Sequence, residues 1–383
     1  MPPVPRPLPV RVLPLLSLLS LLLAVLLAAC GAPAVRDRAE GDVREAVAAW
    51  SRTPPAQLAG IPLEGWAYEV TAVRRDGDRA TARAALRYRL TGYDAAPADS
   101  AREVLLSRDG ADGGRWHVTG DRPAPGALPQ LWDQGTVEVV RGAHALVLGV
   151  GRPARDLSDI AAEAERAVPA ASAAWPGKWA GRVVVLVPGS LERMAELLGR
   201  PAVEYRGMGA VTTGRAGAAK APADRVVVNP EGWAELSAAG RGIVLTHEVT
   251  HVATRAATTA RTPLWLSEGF ADWAAYRGGA VTAQQAAPAL GRAVRGGQLP
   301  ATLPGDAEFA FGGDPQALAR AYEGAWLACR LIAAKWGDAT LVRLYERAGR
   351  EPLATALEDT VGGDPPGLTL AWQASLRQEL GAP

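Results

Sequence analysis

Along the chain, apolar and polar positions alternate with two different periods, and the switches between them predict its elements. Arg38 to Ser51 places Val43, Val47 and Trp50 on one side at helical spacing. Period two follows: Trp66 to Arg74, Arg79 to Leu90, Glu103 to Arg108 and Trp116 to Thr119 read as strands. Asp76-Gly77-Asp78 and Asp109-Gly110 supply turns. The expectation is a small, curved antiparallel sheet packed on one helix over 35–121, a cone-like arrangement.

Arg122 to Pro129 carries three prolines, which deny both helix and central strand, so 122–134 is expected to be a linker. After it, Thr136 to Arg141 and Ala143 to Gly149 suggest a hairpin, Leu157 to Trp175 an amphipathic helix, and Val183 to Val187 a buried strand. Leu191 to Leu198 reads as a short helix and Val226 to Asn229 as another strand, with Met208 to Thr213 a guess for the sheet edge. A helix beginning near Gly240 should end before Thr262-Pro263. Helical spacing then dominates: Leu264 to Tyr276, Gln316 to Trp336, Ala339 to Ala348 and Leu368 to Leu380. Between them a loop rich in Gly and Pro, Gly291 to Gly313, is long enough to wall a cleft. The fold class is α+β: a small sheet-plus-helix unit at 35–121, then a unit at 135–383 with a mixed sheet and a mostly helical C-terminal lobe.

The start of the chain is different. Met1 to Ala29 has Arg6 and Arg11, then an apolar run from Val12, then Leu27-Ala28-Ala29-Cys30, which is the build of a secretory signal peptide at 1–29. The ending resembles a bacterial lipobox, which implies cleavage before Cys30 and a lipid on its thiol; an uncleaved anchor is the weaker alternative. Both place the rest of the chain outside the cytoplasmic membrane, lipid-anchored in the favoured case. Of 41 basic residues the leader takes Arg6 and Arg11, leaving 39 against 40 acids, a balance that points away from nucleic acid. With Cys30 committed to lipid, Cys329 has no partner and suits a core position.

The chemistry concentrates in Thr246-His247-Glu248-Val249-Thr250-His251 and Leu264-Trp265-Leu266-Ser267-Glu268-Gly269-Phe270-Ala271-Asp272. Residues four apart on a helix share a face, so His247 and His251 can offer two imidazoles to one metal ion, with Glu248 beside them. Two of the chain's four histidines stand here; His117 and His144 read as structural. Catalytic zinc takes three protein ligands and an open position, and Glu268 is the best third donor. Asp272, four residues on, can accept the free N–H of a ligating histidine.

His-Glu-Val-Thr-His followed by Trp-Leu-Ser-Glu-Gly-Phe-Ala-Asp resembles the gluzincin metallopeptidases, above all the bacterial peptidase-MA-like families. In those a W-L-x-E-G-x-A segment supplies the glutamate ligand, although the 16 residues between His251 and Glu268 are fewer than several gluzincin families have. The resemblance implies a zincin-type lobe, Zn2+ on His247, His251 and Glu268, and a zinc-activated water with Glu248 as general base. It also singles out Tyr322, which either faces the metal to donate to an oxyanion or packs between helices. The expected function is a zinc-dependent peptidase, an endopeptidase more than an aminopeptidase because no G-x-M-E-N-like anchor is present, acting on extracytoplasmic peptides or proteins. The alternatives are an envelope scaffold lipoprotein with a structural zinc, and a cell-wall amide hydrolase using the same residues.

Overall fold

The computed structural model describes residues 38–108, 114–214, 222–279, 281–311 and 313–381. The segment read above as a signal peptide, and Cys30 after it, lie outside the described residues. Among those described, no helix is long and apolar enough to cross a membrane.

Helix α1 (Arg38–Trp50) lies against a four-stranded antiparallel meander of β1 (Leu63–Asp76), β2 (Arg79–Leu90), β3 (Ala98–Arg108) and β4 (Trp116–Pro123), in that spatial order. The alternation in β2 decides its facing: Ala82, Leu86, Tyr88 and Leu90 are buried, while Arg79, Arg83, Arg87 and Arg89 point the other way. Val43 and Val47 from α1 close that core with Tyr68, Val104 and Trp116. Pro123 closes β4, an edge strand, where its missing N–H costs no central ladder bond. The segment after it turns once at Leu131–Asp133, with Leu131 buried.

Five further strands form a mixed sheet in the order β5 (Val137–Arg141), β6 (Ala145–Val150), β7 (Val183–Val187), β9 (Arg225–Val228), β8 (Ala210–Thr212). The β6–β7–β9 pairs are parallel, and the two edges pair antiparallel. Central strands buried on both faces need unbroken apolar runs, which Val183–Val187 provides. On one face Val147, Val183 and Val185 pack on α2 (Ala154–Ala174) and on the helix α5 described below. On the other, Leu146, Leu148, Val150 and Val184 pack on Leu58, Ile61, Leu90 and Leu131 from the first 131 residues. The two sheets therefore share a core. Asp94 adds a polar clasp, taking both terminal nitrogens of Arg225 at 2.8 and 2.9 Å and the Ala223 amide at 2.9 Å.

Short helices α3 (Leu191–Leu198) and α4 (Pro230–Glu235) connect the strands, and α5 (Ala238–Thr254) follows, capped by Ser237, whose hydroxyl accepts from the Gly240 amide. The remainder is helical: α6 (Leu264–Tyr276), α7 (Ala283–Ala286), α8 (Pro288–Arg295), α9 (Pro315–Trp336), α10 (Asp338–Ala348), α11 (Leu353–Val361) and α12 (Pro365–Leu380). The expected loop from Gly291 is thus helical as far as Arg295. Pro288 stands at the first helical position, where its missing amide hydrogen has no intrahelical partner to lose. α11 has no counterpart in the sequence reading, since only Ala356 and Leu357 of its nine residues are buried.

Candidate metal centre

α5, α6 and α9 assemble the site. α5 is held by its back as well as its front: the hydroxyls of Thr250, Thr254 and Thr258 each donate to the carbonyl four residues earlier, and Tyr345 reaches the Thr258 hydroxyl at 2.7 Å. α6 lies close to α9 because Gly269 has no side chain; a Cβ there would stand 2.2 Å from the Ala325 carbonyl oxygen. The preceding residue, Glu268, reaches the two histidines of α5.

Three donor atoms then converge. His247 Nε2 and His251 Nε2 are 3.0 Å apart, and each is 3.3 Å from Glu268 Oε2. The His247 Nδ1–H donates to Asp272 Oδ1 at 2.7 Å, which leaves the Nε2 lone pair pointing at the other two donors. Lone pairs facing each other repel unless a cation or a proton lies among them. Zinc bonds of about 2.0–2.1 Å at tetrahedral angles set neighbouring donors about 3.3 Å apart, so the donor set and its spacing fit that ion. Within the described residues this trio is the group of His, Cys, Asp or Glu side chains placed to hold a metal.

The electrostatics agree with a site built for positive charge. Burial lowers the His247 pKa, but the Asp272 charge and hydrogen bond, with Glu268 and Glu248 nearby, hold it well above the usual imidazole value. Burial opposes ionisation of Glu268, yet the two imidazoles keep its carboxyl well below the usual carboxylate range.

Glu248 is 8% exposed and stands outside the trio. Burial raises its pKa against the pull of His247 and His251. The Thr212 hydroxyl donates to its Oε2 at 2.6 Å. Thr212 belongs to β8, inside the stretch guessed for the sheet edge, but nothing in the sequence linked it to Glu248. Tyr322, on α9, has its ring 6.4 Å from that of His247, and its phenol meets the Glu268 carboxylate. Burial, then Glu268, Glu248 and Asp272, hold that phenol far above its ordinary pKa, so it stays a donor. Tyr276 is pushed up to about 12 by burial and Asp272. Arg255 is tied to the buried Asp224 at 2.5 Å. His117 bonds Ser107 at 2.8 Å, and His144 Nδ1 stands 3.1 Å from the Gly181 carbonyl; neither histidine joins the cluster.

The cluster opens into a cavity of about 1730 Å³ that is also lined by Thr212, Tyr322, Phe311 and, from earlier in the chain, Ser100 and Leu128. Asp306 and Phe311 bring the Gly/Pro-rich loop to this wall, as the sequence suggested.

No family model and no curated protein matches the chain. Among solved structures it is similar to a mutant of a two-domain M1 zinc metallopeptidase bound to L-arginine, at 15% identity and a TM-score of 0.34 over 74% of this chain. The match spans 61% of that chain's length.

Proposed function

We propose that the chain is a zinc-dependent peptidase, and specifically an endopeptidase. The observation that carries the reading is the convergence of His247 Nε2, His251 Nε2 and Glu268 Oε2 within 3.3 Å, with a buried acid, Glu248, beside the trio and not part of it. A zinc ion held by the trio would supply Lewis acidity toward a carbonyl oxygen and would acidify a water. Glu248 takes the proton of the attacking water and passes it to the leaving amine; burial raises its pKa, which makes it a stronger base than an ordinary carboxylate. Tyr322, kept protonated, donates a hydrogen bond to the oxyanion of the scissile carbonyl. Asp272 keeps His247 in the tautomer that presents Nε2.

A cavity of about 1730 Å³ exceeds the roughly 300–1,000 Å³ usual for small-ligand sites, which favours an extended polypeptide and internal cleavage. The remaining parts of the proposal come from sequence: a leader ending at Ala29, a lipid on Cys30, action at the outer face of the cytoplasmic membrane, and a division near 122–134. The test is zinc per chain in the purified mature protein, followed by cleavage of a peptide pool with and without a chelator. Chelator-sensitive cuts inside peptides are expected. One zinc per chain with no cleavage of any peptide would favour the scaffold reading instead.

A further inference from the structure

A carboxylate that moves a proton is better oriented when one oxygen is held and the other left free, and Glu248 is hydrogen-bonded at one oxygen. Its Oε2 receives the Thr212 hydroxyl at 2.6 Å, a short distance of the kind found when the acceptor is charged. The same hydroxyl lies 3.0 Å from the Glu248 carbonyl oxygen, so Thr212 touches both ends of the residue. A hydroxyl has a single proton to give, and the shorter contact takes it. Among the described residues no other side chain or backbone amide hydrogen-bonds the Glu248 carboxylate.

The anchor itself is stiff. Thr212 pairs with Val226 in the ladder of β8 and β9, and its neighbour Thr213 is tied to Arg225 through both its amide and its hydroxyl. A β-branched side chain on a strand has few rotamers, so the hydroxyl arrives with little freedom left to lose. Thr212 and Glu248, 36 residues apart, both line the cavity into which the donor trio opens.

We propose that Thr212 is a positioning residue for Glu248: its hydroxyl pins Oε2 and leaves the second oxygen to exchange protons with the attacking water and the leaving amine. The proposal rests on the reading of Glu248 as the base, and its experiment separates the two. Thr212→Val keeps the shape and removes the donor; Thr212→Ser keeps the donor. Thr212→Val should lower kcat about tenfold with KM within about twofold, while Thr212→Ser restores most of it. In a Glu248→Gln background, Thr212→Val should produce no further loss. Zinc per chain should be equal in all variants. Wild-type kcat in Thr212→Val, an effect on KM alone, or a Ser variant as slow as the Val variant would each overturn the proposal. Crystal structures of wild type and Thr212→Val give a readout independent of turnover. The Glu248 side chain should hold one rotamer in the first and spread over several in the second; an unchanged rotamer sinks the pinning whether or not any peptide is cut. A Glu248→Gln protein with full turnover would instead sink the assignment of the base.

Discussion

Two of the buried groups of charged side chains among the described residues are opposites in one respect. In the first, Arg102 is 1% exposed and bonds Asp121 and Asp133 through four contacts of 2.7 to 3.0 Å. Tyr68 adds a hydrogen bond to Asp121, and the Gln130 amide one to Asp133. Each carboxylate faces donors and the guanidinium faces acceptors, so the group is closed on itself. In the second, His247, His251 and Glu268 turn acceptor atoms toward each other, and none of the described Arg or Lys side chains bonds to them. Burial opposes charge in both groups. Only the first compensates it internally; the second needs a cation or protons, and that difference separates a structural ion network from a metal site.

The comparison breaks first at Glu248. Glu248→Gln should leave zinc per chain unchanged and reduce kcat by roughly 10²- to 10⁴-fold, measured on a peptide the wild type cleaves; undiminished turnover would remove the proton-transfer role. The closed network should respond in stability instead. Arg102→Met leaves two partly buried carboxylates facing each other and should cost about 3 kcal/mol in urea unfolding, with zinc affinity unchanged under native conditions. A loss of zinc affinity as large as the loss of stability would mean that the two groups are coupled. Asp272→Asn belongs to the open group: zinc affinity should fall by roughly 10- to 100-fold with little loss of stability in the zinc-free chain.

The smallest effect is a slope. Zinc needs a neutral His247, and the raised pKa means that the zinc-free site keeps its proton to a higher pH than a free imidazole would. Zinc affinity should therefore rise with pH, about tenfold per unit while one proton is displaced, and level off above the raised pKa. Competition titrations between about pH 6 and 8 would show it. In Asp272→Asn the rise should level off at lower pH, because the main cause of the raised value is gone. A flat profile in the wild type would contradict the raised pKa of His247.

The legible part of the protein is the part written in short periods. The alternation of Arg79 to Leu90 determines a strand and its buried face, and the structure has β2 over the same residues. Helical spacing likewise gives α6 its full span, Leu264–Tyr276, and places His247 and His251 on one face of α5. These follow from sequence because a residue and its neighbour two or four positions along share a face whatever the rest of the chain does. The sequence also left Ala283–Ala286 and Leu353–Val361 unmarked, where short helices bury too few side chains to leave a pattern.

What tertiary structure alone decided are the meetings between distant positions. Thr212 reaches Glu248 across 36 residues, Arg102 finds Asp121 and Asp133 across 19 and 31, and Leu58, Leu90 and Leu131 close on the sheet face opposite α5. Which partner a hydroxyl or a guanidinium finds depends on strand order and on how two helices approach, here as near as Gly269 lets α6 come to the Ala325 carbonyl. Periodicity says which way a side chain points; only the assembled layers say what stands there to meet it.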